Sequence, residues 1–537
     1  MSGTDTERAM RARDRLIVLA IGLLMAFMTL DRVGAADVCG VNEGVEAVFV
    51  QQMVEHGKLL FPLDNGTEAM YKPPLFHWTA AALGYLLDQR VVSTFSLRLP
   101  SALYATAGAV LIGALAMAVL GGRGAIIAGL AMAASYEYVS QGRIGRVDMT
   151  LTFFETLALS AFAWWLFAAA PRLSGSPART DARRIALHYL IAAALGLGVL
   201  AKGPVGAMIP GAAIGLYLIT GRRWDLLRDI LKPGPIALGV ALASSWYLAC
   251  LIGRRYAFLD RQIVSENFSR FLGALGHMPI GYYVQPLLLN SGPLSLIAPF
   301  AVFAALARKD TDEIADRGEA DRRGDRCARL FAIFWIVTIV FFELAAYKRK
   351  AYLLPMWPAS SFLIAWWIVR RAPARTGAIA GGAVIAVCAV MIVVNFFFIP
   401  WYEVRDCGGK LSMREALAWP IESIAGEKVP IMQRDSMRRA AGEIARAVEI
   451  GAPLHIFGMN TPVEPLIFYM RRDAPPLATS LAAAPAGYVI VPGELWEKEK
   501  GQLPNMSLKL NAPYDDTYLA LLNVRAPEPR RSPGAGH

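Results

Sequence analysis

Apolar runs of about 20 residues recur along the chain, separated by short polar segments. A run of that length matches the reach of a helix across a bilayer core, where every backbone N–H and C=O must be satisfied inside the segment. The pattern predicts helices over 16–30, 97–120, 124–140, 149–170, 185–201, 205–220, 235–252, 284–307, 330–346, 351–369 and 377–399, with a partial or interfacial helix over 73–87. No small-residue cleavage site follows the first run, so 16–30 reads as a retained helix rather than a removed signal. The expected fold class is an all-α polytopic membrane protein with about 11–13 transmembrane helices, followed by a small extramembrane α/β domain.

The pattern changes after Pro400. GEIARAVEI has helical spacing, while PLHIFGM and GYVIVPG are brief β-branched runs ended by Gly or Pro. The expected domains are therefore 1–400, a transmembrane domain with extramembrane loops at 32–96 and 253–283, then 401–525, the α/β domain. The end, 526–537, reads APEPRRSPGAGH and is expected to be a disordered tail.

Composition supports this division. Of 537 residues, 55% are hydrophobic and 18% charged, and mean hydropathy is +0.41, too apolar for an ordinary soluble domain. The net charge of +11 does not point to nucleic acid, because Lys and Arg gather in the loops between apolar runs. Arg8, Arg11, Arg13 and Arg15 place the N-terminus in the cytoplasm. Alternating crossings then put the basic loops 172–184, 221–232, 308–329 and 370–375 on that side as well. Loops 31–96, 141–148, 202–204, 253–283 and 347–350 fall on the other side. Cys39 and Cys407 both lie there, so a disulfide between them is one reading and two free thiols the other.

The outer turns carry the candidate chemistry. The first loop offers Asn42, Glu43 and Lys72, and the second offers Arg143, Arg146 and Asp148. Lys202 follows in AKGP. Glu266, Arg270 and His277 lie in the long fourth loop, and Lys348, Arg349 and Lys350 in YKRK. Cations suit a lipid-linked phosphate. Acids suit proton transfer from an acceptor hydroxyl or metal binding. Each residue also has a structural alternative. The lysines can snorkel to headgroups, and Glu43 and Asp148 can serve helix N-termini. Glu266 and Arg270, four apart, can simply pair, and His277 can be a structural histidine.

In order and spacing, NEGVEAVFVQQM, YKPPLFHW, GRIGRVDMTLTFF, LAKGPVGAMIPG, ENFSRF, GHMPIGYYVQPLLL and YKRKAYLLPMWPA resemble the GT-C membrane glycosyltransferases that use polyprenyl-phosphate sugars. The similarity is strongest to the branch of the lipid A aminoarabinose transferase, within the broader group that includes the protein O-mannosyltransferases (glycosyltransferase families 39 and 83), and it covers about 16–369. The resemblance implies an inverting transfer of a sugar from undecaprenyl phosphate to a lipid, glycan or protein acceptor. It implies a bacterial inner membrane, with the site and C-terminal domain periplasmic. Glu43, Asp148 and Asn42 stand at catalytic positions, and Lys72, Lys202, Arg270 and Lys348 at donor-phosphate positions. Where the aminoarabinose enzymes carry an Asp-Glu pair, this chain has Asn42-Glu43. Asn42 cannot act as a base, so that role passes to Glu43 or Asp148. Tyr71 replaces an acid linked with a metal in those enzymes. No cofactor is required; if a divalent metal takes part, His277 is the candidate ligand. The expected partners are the lipid-linked donor, lipid A or another glycan or protein acceptor, and membrane lipids, with no nucleic acid. Rival readings are a glycan ligase or polymerase using a diphosphate-linked donor, a transporter or flippase, and an inactive binding relative.

Overall fold

The computed structural model describes residues 3–38, 40–87, 90–168, 177–274, 276–289, 292–307, 319–370, 374–406, 437–459, 463–477, 480–514 and 517–525. It divides into two compact units. The first is Met1–Val33, Met70–Leu87 and Phe95–Ile399; the second is Gly34–Ala69, Asp88–Thr94 and Pro400–His537. The helices used below are α1 (Gly3–Leu30), α2 (Val41–His56), α3 (Leu75–Leu87), α4 (Thr94–Ala134), α5 (Tyr136–Gln141), α6 (Val147–Ala168), α7 (Pro177–Lys202), α8 (Val205–Thr220), α9 (Trp224–Ile230) and α10 (Pro233–Ile252).

The first unit is an all-helical, polytopic membrane bundle. Among the described residues, six helices are long and apolar enough to cross a bilayer: Thr94–Ala134, Val147–Phe167, Ala182–Lys202, Pro233–Ile252, Asp321–Leu344 and Ala378–Pro400. Shorter apolar helices accompany them at Leu75–Leu87, Val205–Thr220 and Leu294–Leu306. The break expected near 120–124 is present. α4 is two helical stretches joined across a kink at Gly121, which has φ 74° and ψ −175°, a conformation a Cβ would oppose.

Three expectations need correction. The helix expected over 124–140 stops at Ala134 and restarts as α5 at Tyr136, with Ser135 as its N-cap. The single helix over 284–307 is instead Val284–Leu289, a 3₁₀ turn at Gly292–Leu296 and Ala298–Leu306. Pro293 lacks an N–H and restricts the residue before it. The helix expected over 351–369 begins as a 3₁₀ turn, Lys350–Leu353, and becomes α-helical only at Met356–Arg370, after Pro355.

Small residues set the helix spacing. A Cβ built on Gly196 of α7 would lie 2.6 Å from the Gly239 carbonyl oxygen of α10, and one on Gly198 would lie 2.8 Å from that of Gly206 in α8. Such close approach is how membrane helices gain packing where lipid is as apolar as the interface. Buried polar groups tie the loops down. Arg143, 2% exposed, donates to the carbonyls of Met28 at 3.1 Å and Asp31 at 2.6 Å. Asn395 donates to Ala134 O at 2.9 Å.

The second unit is α/β. Short strands β1 (Leu63–Asp64) and β2 (Glu68–Ala69) form a hairpin. The four-stranded sheet has the order β3-β4-β6-β5, with β3 (Leu454–Ile456), β4 (Gly487–Pro492), β5 (Met506–Tyr514) and β6 (Thr517–Val524). β3 and β4 are parallel; β4–β6 and β5–β6 are antiparallel. The PLHIFGM and GYVIVPG runs supply β3 and β4, and GEIARAVEI lies in the helix Met437–Ala447 and the turn after it. That helix buries Met437, Ala440, Ala441 and Ile444, the spacing of one helical face.

The polar first loop belongs to this unit. Gln51 donates to Phe468 O at 3.2 Å, and Gln52 to Asp473 at 3.2 Å. Asn65 exchanges two hydrogen bonds with the Ala474 backbone, at 2.8 and 2.7 Å. Arg438 pairs with Asp37 at 3.0 Å, and the Val38 N–H donates to the Tyr469 hydroxyl at 2.7 Å. Gly44 of α2 lies against Pro465, where a Cβ would stand 2.8 Å from Cδ. Both the Cys39–Cys407 bridge and the 526–537 tail fall outside the described residues. Cys250, Cys327 and Cys388 are buried and free.

Candidate active site

Within the first unit, a cavity of about 450 Å³ is lined by three cations and one acid, Lys72, Lys202, Arg270 and Glu266, on walls that are otherwise mostly apolar and aromatic. The backbone explains how each arrives. Lys72 precedes Pro73 and Pro74, which hold its segment extended before α3 starts at Leu75. Lys202 is the last residue of α7. Gly203 follows with φ 96°, a left-handed turn that sends the chain into α8. Glu266 lies in a wide-turned π-helical stretch, Asp260–Ser269, and Arg270 one turn later. π-turns are rare and tend to occur where a helix must present side chains unusually.

The polar groups form two linked clusters. Lys72 Nζ lies 2.5 Å from Glu266 Oε2, and Arg270 Nη2 lies 2.9 Å from Glu266 Oε1. Asp148, on the first turn of α6, pairs with Lys202 and lies 3.0 Å from Arg146 Nη2. Each cavity cation also stands over a tyrosine ring: Lys72 over Tyr71 at 5.1 Å, Lys202 over Tyr352 at 4.9 Å and Arg270 over Tyr347 at 5.5 Å. The rings hold the cations by their faces and leave N–H groups for an anion. Burial pushes the Lys72 ammonium down to about 8; Glu266 works against the shift, and Arg270 and Lys202 add to it.

Gly203 has no room for a side chain. A Cβ would sit 2.7 Å from Gln262 Nε2, on a φ that L-residues rarely adopt. Gly203→Ala should cost about 1–3 kcal/mol and lower the Tm of the detergent-solubilised protein. An unchanged Tm would mean the turn tolerates a side chain.

The other candidates are placed as follows. Lys348, 3% exposed, lies 3.7 Å from Glu343 and donates to Met278 O at 3.3 Å; it is not part of the cavity lining. His277 is exposed and close to Gly273. No group of three or more His, Cys, Asp or Glu side chains gathers as a metal site among the described residues. Asn42 and Glu43 occupy the first turn of α2 in the second unit; Glu43 is buried at 7% exposure and Asn42 only partly.

Two acids went unread in the sequence. Glu137 on α5 is 4% exposed. Burial raises its carboxyl; Lys350 opposes the shift and Asp148 adds to it. Glu155 on α6 is fully buried, and neither of its carboxyl oxygens has a hydrogen-bond partner among the described residues. A signal for Glu155 existed: it is a single acid in an apolar run, seven residues after Asp148 and so on the same helix face. A carboxyl shut from water without partners is a cost to the fold. Glu155→Leu should therefore be neutral or stabilising, by up to about 3 kcal/mol, read as an unchanged or raised Tm; a clear fall would mean that Glu155 is held by an interaction.

The solved structure of ArnT from Cupriavidus metallidurans bound to undecaprenyl phosphate superposes with a TM-score of 0.72, over 96% of this chain and 99% of that one, at 18% identity. The fold is that of the GT-C glycosyltransferases. Residues 71–248 match the dolichyl-phosphate-mannose-protein mannosyltransferase family, a segment that contains Lys72, Asp148 and Lys202. An uncharacterized protein of Aquifex aeolicus is 26% identical over 352 residues, 65% of this chain and 63% of its own. The undecaprenyl phosphate-alpha-4-amino-4-deoxy-L-arabinose arabinosyl transferase of Edwardsiella ictaluri is 24% identical over 330 residues, 60% of this chain and 53% of its own. The chain thus matches between half and two thirds of these relatives. The GT-C bundle brings Lys72, Lys202, Arg270 and Glu266 together from segments nearly 200 residues apart.

Proposed function

We propose that the chain transfers a sugar from a polyprenyl-phosphate donor to a lipid, glycan or protein acceptor. The observation that supports this most directly is the cavity in a GT-C bundle with Lys72, Lys202 and Arg270 on its lining and Glu266 as the one acid there. A polyprenyl-phosphate sugar is a phosphodiester with one negative charge. When the bond from the anomeric carbon to the phosphate oxygen breaks, polyprenyl phosphate leaves as a monoester and gains charge. Fixed cations stabilise that gain without reorganising. The acceptor oxygen bonds to the anomeric carbon from the opposite face, so configuration inverts, and its proton passes to a carboxylate. The resemblance leaves that role to Glu43 or Asp148, since Asn42 cannot accept a proton. Asp148, engaged by Lys202 and Arg146, is assigned to hold Lys202 toward the phosphate. Both this site and the second unit are assigned to the periplasmic side of a bacterial inner membrane, with the N-terminus in the cytoplasm.

The test is purified protein in nanodiscs supplied with undecaprenyl-phosphate sugars, alongside lipid profiling of a deletion strain. The expected results are transfer from the monophosphate donor and accumulation of one polyprenyl-phosphate sugar in the strain. Transfer only from a diphosphate lipid would move the protein to the ligase class; no transfer and no accumulation would refute the proposal. Glu43→Gln should lower turnover by at least about 100-fold in protein that still inserts, and a normal rate would remove Glu43 from the reaction.

A further inference from the structure

A second cavity, of about 340 Å³, lies among α7, α8 and α10. It shares no lining residue with the first. Its sides run from His188 to Val199 on α7, from Ala207 to Gly215 on α8 and from Pro235 to Ala243 on α10. Leu227, Ile230 and Leu231, in and just after α9, close one end. From His188 to Val199 the slot is about 16 Å long, the reach of a long acyl chain. Glycines do two different things here. Gly196 and Gly239 bring helix backbones into contact, whereas a Cβ on Gly211 or Gly215 would meet nothing within 4 Å. Those two positions therefore leave a trench rather than a close packing.

The α9 end of the slot is basic. Arg184 precedes His188 by one turn on the same face of α7 and lies 2.5 Å from Asp229. Lys232 pairs with the same Asp229 and stays largely exposed. Arg183 and Arg228 are exposed. Two cations thus hold one acid, with Arg183 and Arg228 next to them in the chain, and Trp224, 52% exposed, opens α9 as an aromatic anchor of the kind found at membrane interfaces. Along α7, His188 and Lys202 are about 21 Å apart, so this end is far from the cavity that carries Lys72 and Lys202.

We propose that this slot binds an anionic phospholipid, with one acyl chain in the trench between α7, α8 and α10 and the phosphate on Arg184, Arg228 and Lys232. Basic pockets between membrane helices select anionic headgroups in this way. The headgroup end of the slot lies at the opposite end of α7 from Lys202 and the donor cavity.

The test is native mass spectrometry of the full chain, released from nanodiscs of phosphatidylglycerol and phosphatidylcholine in equal amounts. The wild type should retain phosphatidylglycerol over phosphatidylcholine by at least about fivefold, the effect of one well-placed cation. Lys232→Glu with Arg228→Glu, on the exposed rim, should reduce the ratio to near one. Gly215→Leu should reduce total lipid retained by filling the trench. Equal retention of the two lipids by the wild type would overturn the proposal, as would a preference unchanged in the rim variant. The rim substitutions are on the surface, so the result does not depend on whether Gly215→Leu folds.

Discussion

Lys72→Ala should raise the KM for a polyprenyl-phosphate sugar by about 10- to 100-fold, with a smaller change in kcat. That is the size expected when one charge-assisted contact to a phosphate is removed from a buried site. Lys72 lies 2.5 Å from Glu266 in the first unit's cavity, and its loss leaves Glu266 paired with Arg270 alone. The pH profile offers a second readout. Burial lowers the Lys72 ammonium to about 8, so the charged form that binds phosphate dominates below that pH and is lost above it. Binding of the anion should therefore take up a proton above pH 8, and KM should climb as pH rises past about 8. Lys72→Arg keeps its charge throughout this range, so that climb should vanish in the variant. A wild-type KM flat to pH 10, or a normal KM in the alanine variant, would take Lys72 out of donor binding.

Asp148→Asn should lower kcat by about 100- to 1,000-fold in protein that still inserts. Asp148 engages both Lys202 and Arg146, and the neutral amide would leave Lys202 without its anchor beside the cavity. Because the two act as a unit, Lys202→Met should be about as damaging, and the double variant little worse than either alone. Additive losses would show that the two residues contribute independently.

Much of the bundle was legible because bilayer thickness imposes one length on many segments. The apolar runs 205–220 and 235–252 gave helix positions to within a couple of residues. Prolines caused the failures: Pro293 and Pro355 divide runs whose hydropathy is continuous. In the C-terminal unit β3 and β4 could be read, while β5 could not, since SLKLNAPY carries a Lys and a Pro that an edge strand tolerates. The site was legible in its cations, because each sits in a polar segment between apolar runs. Their partners were not. Glu266 was read as a candidate acid or as the i, i+4 mate of Arg270, and its contact with Lys72 crosses 194 positions. The three tyrosines beneath the cations leave no periodic trace. The loop residues Gln51, Gln52 and Asn65 gave no hint that they bond to 468–474.

The Gln52–Asp473 hydrogen bond joins positions 421 residues apart. At roughly 5–20 residues per second of synthesis, α2 leaves the ribosome some 20 to 80 s before its wall exists. For that interval its buried face, including Phe49 and Met53, has no native cover, which makes this segment a client for chaperones and the vulnerable point of biogenesis.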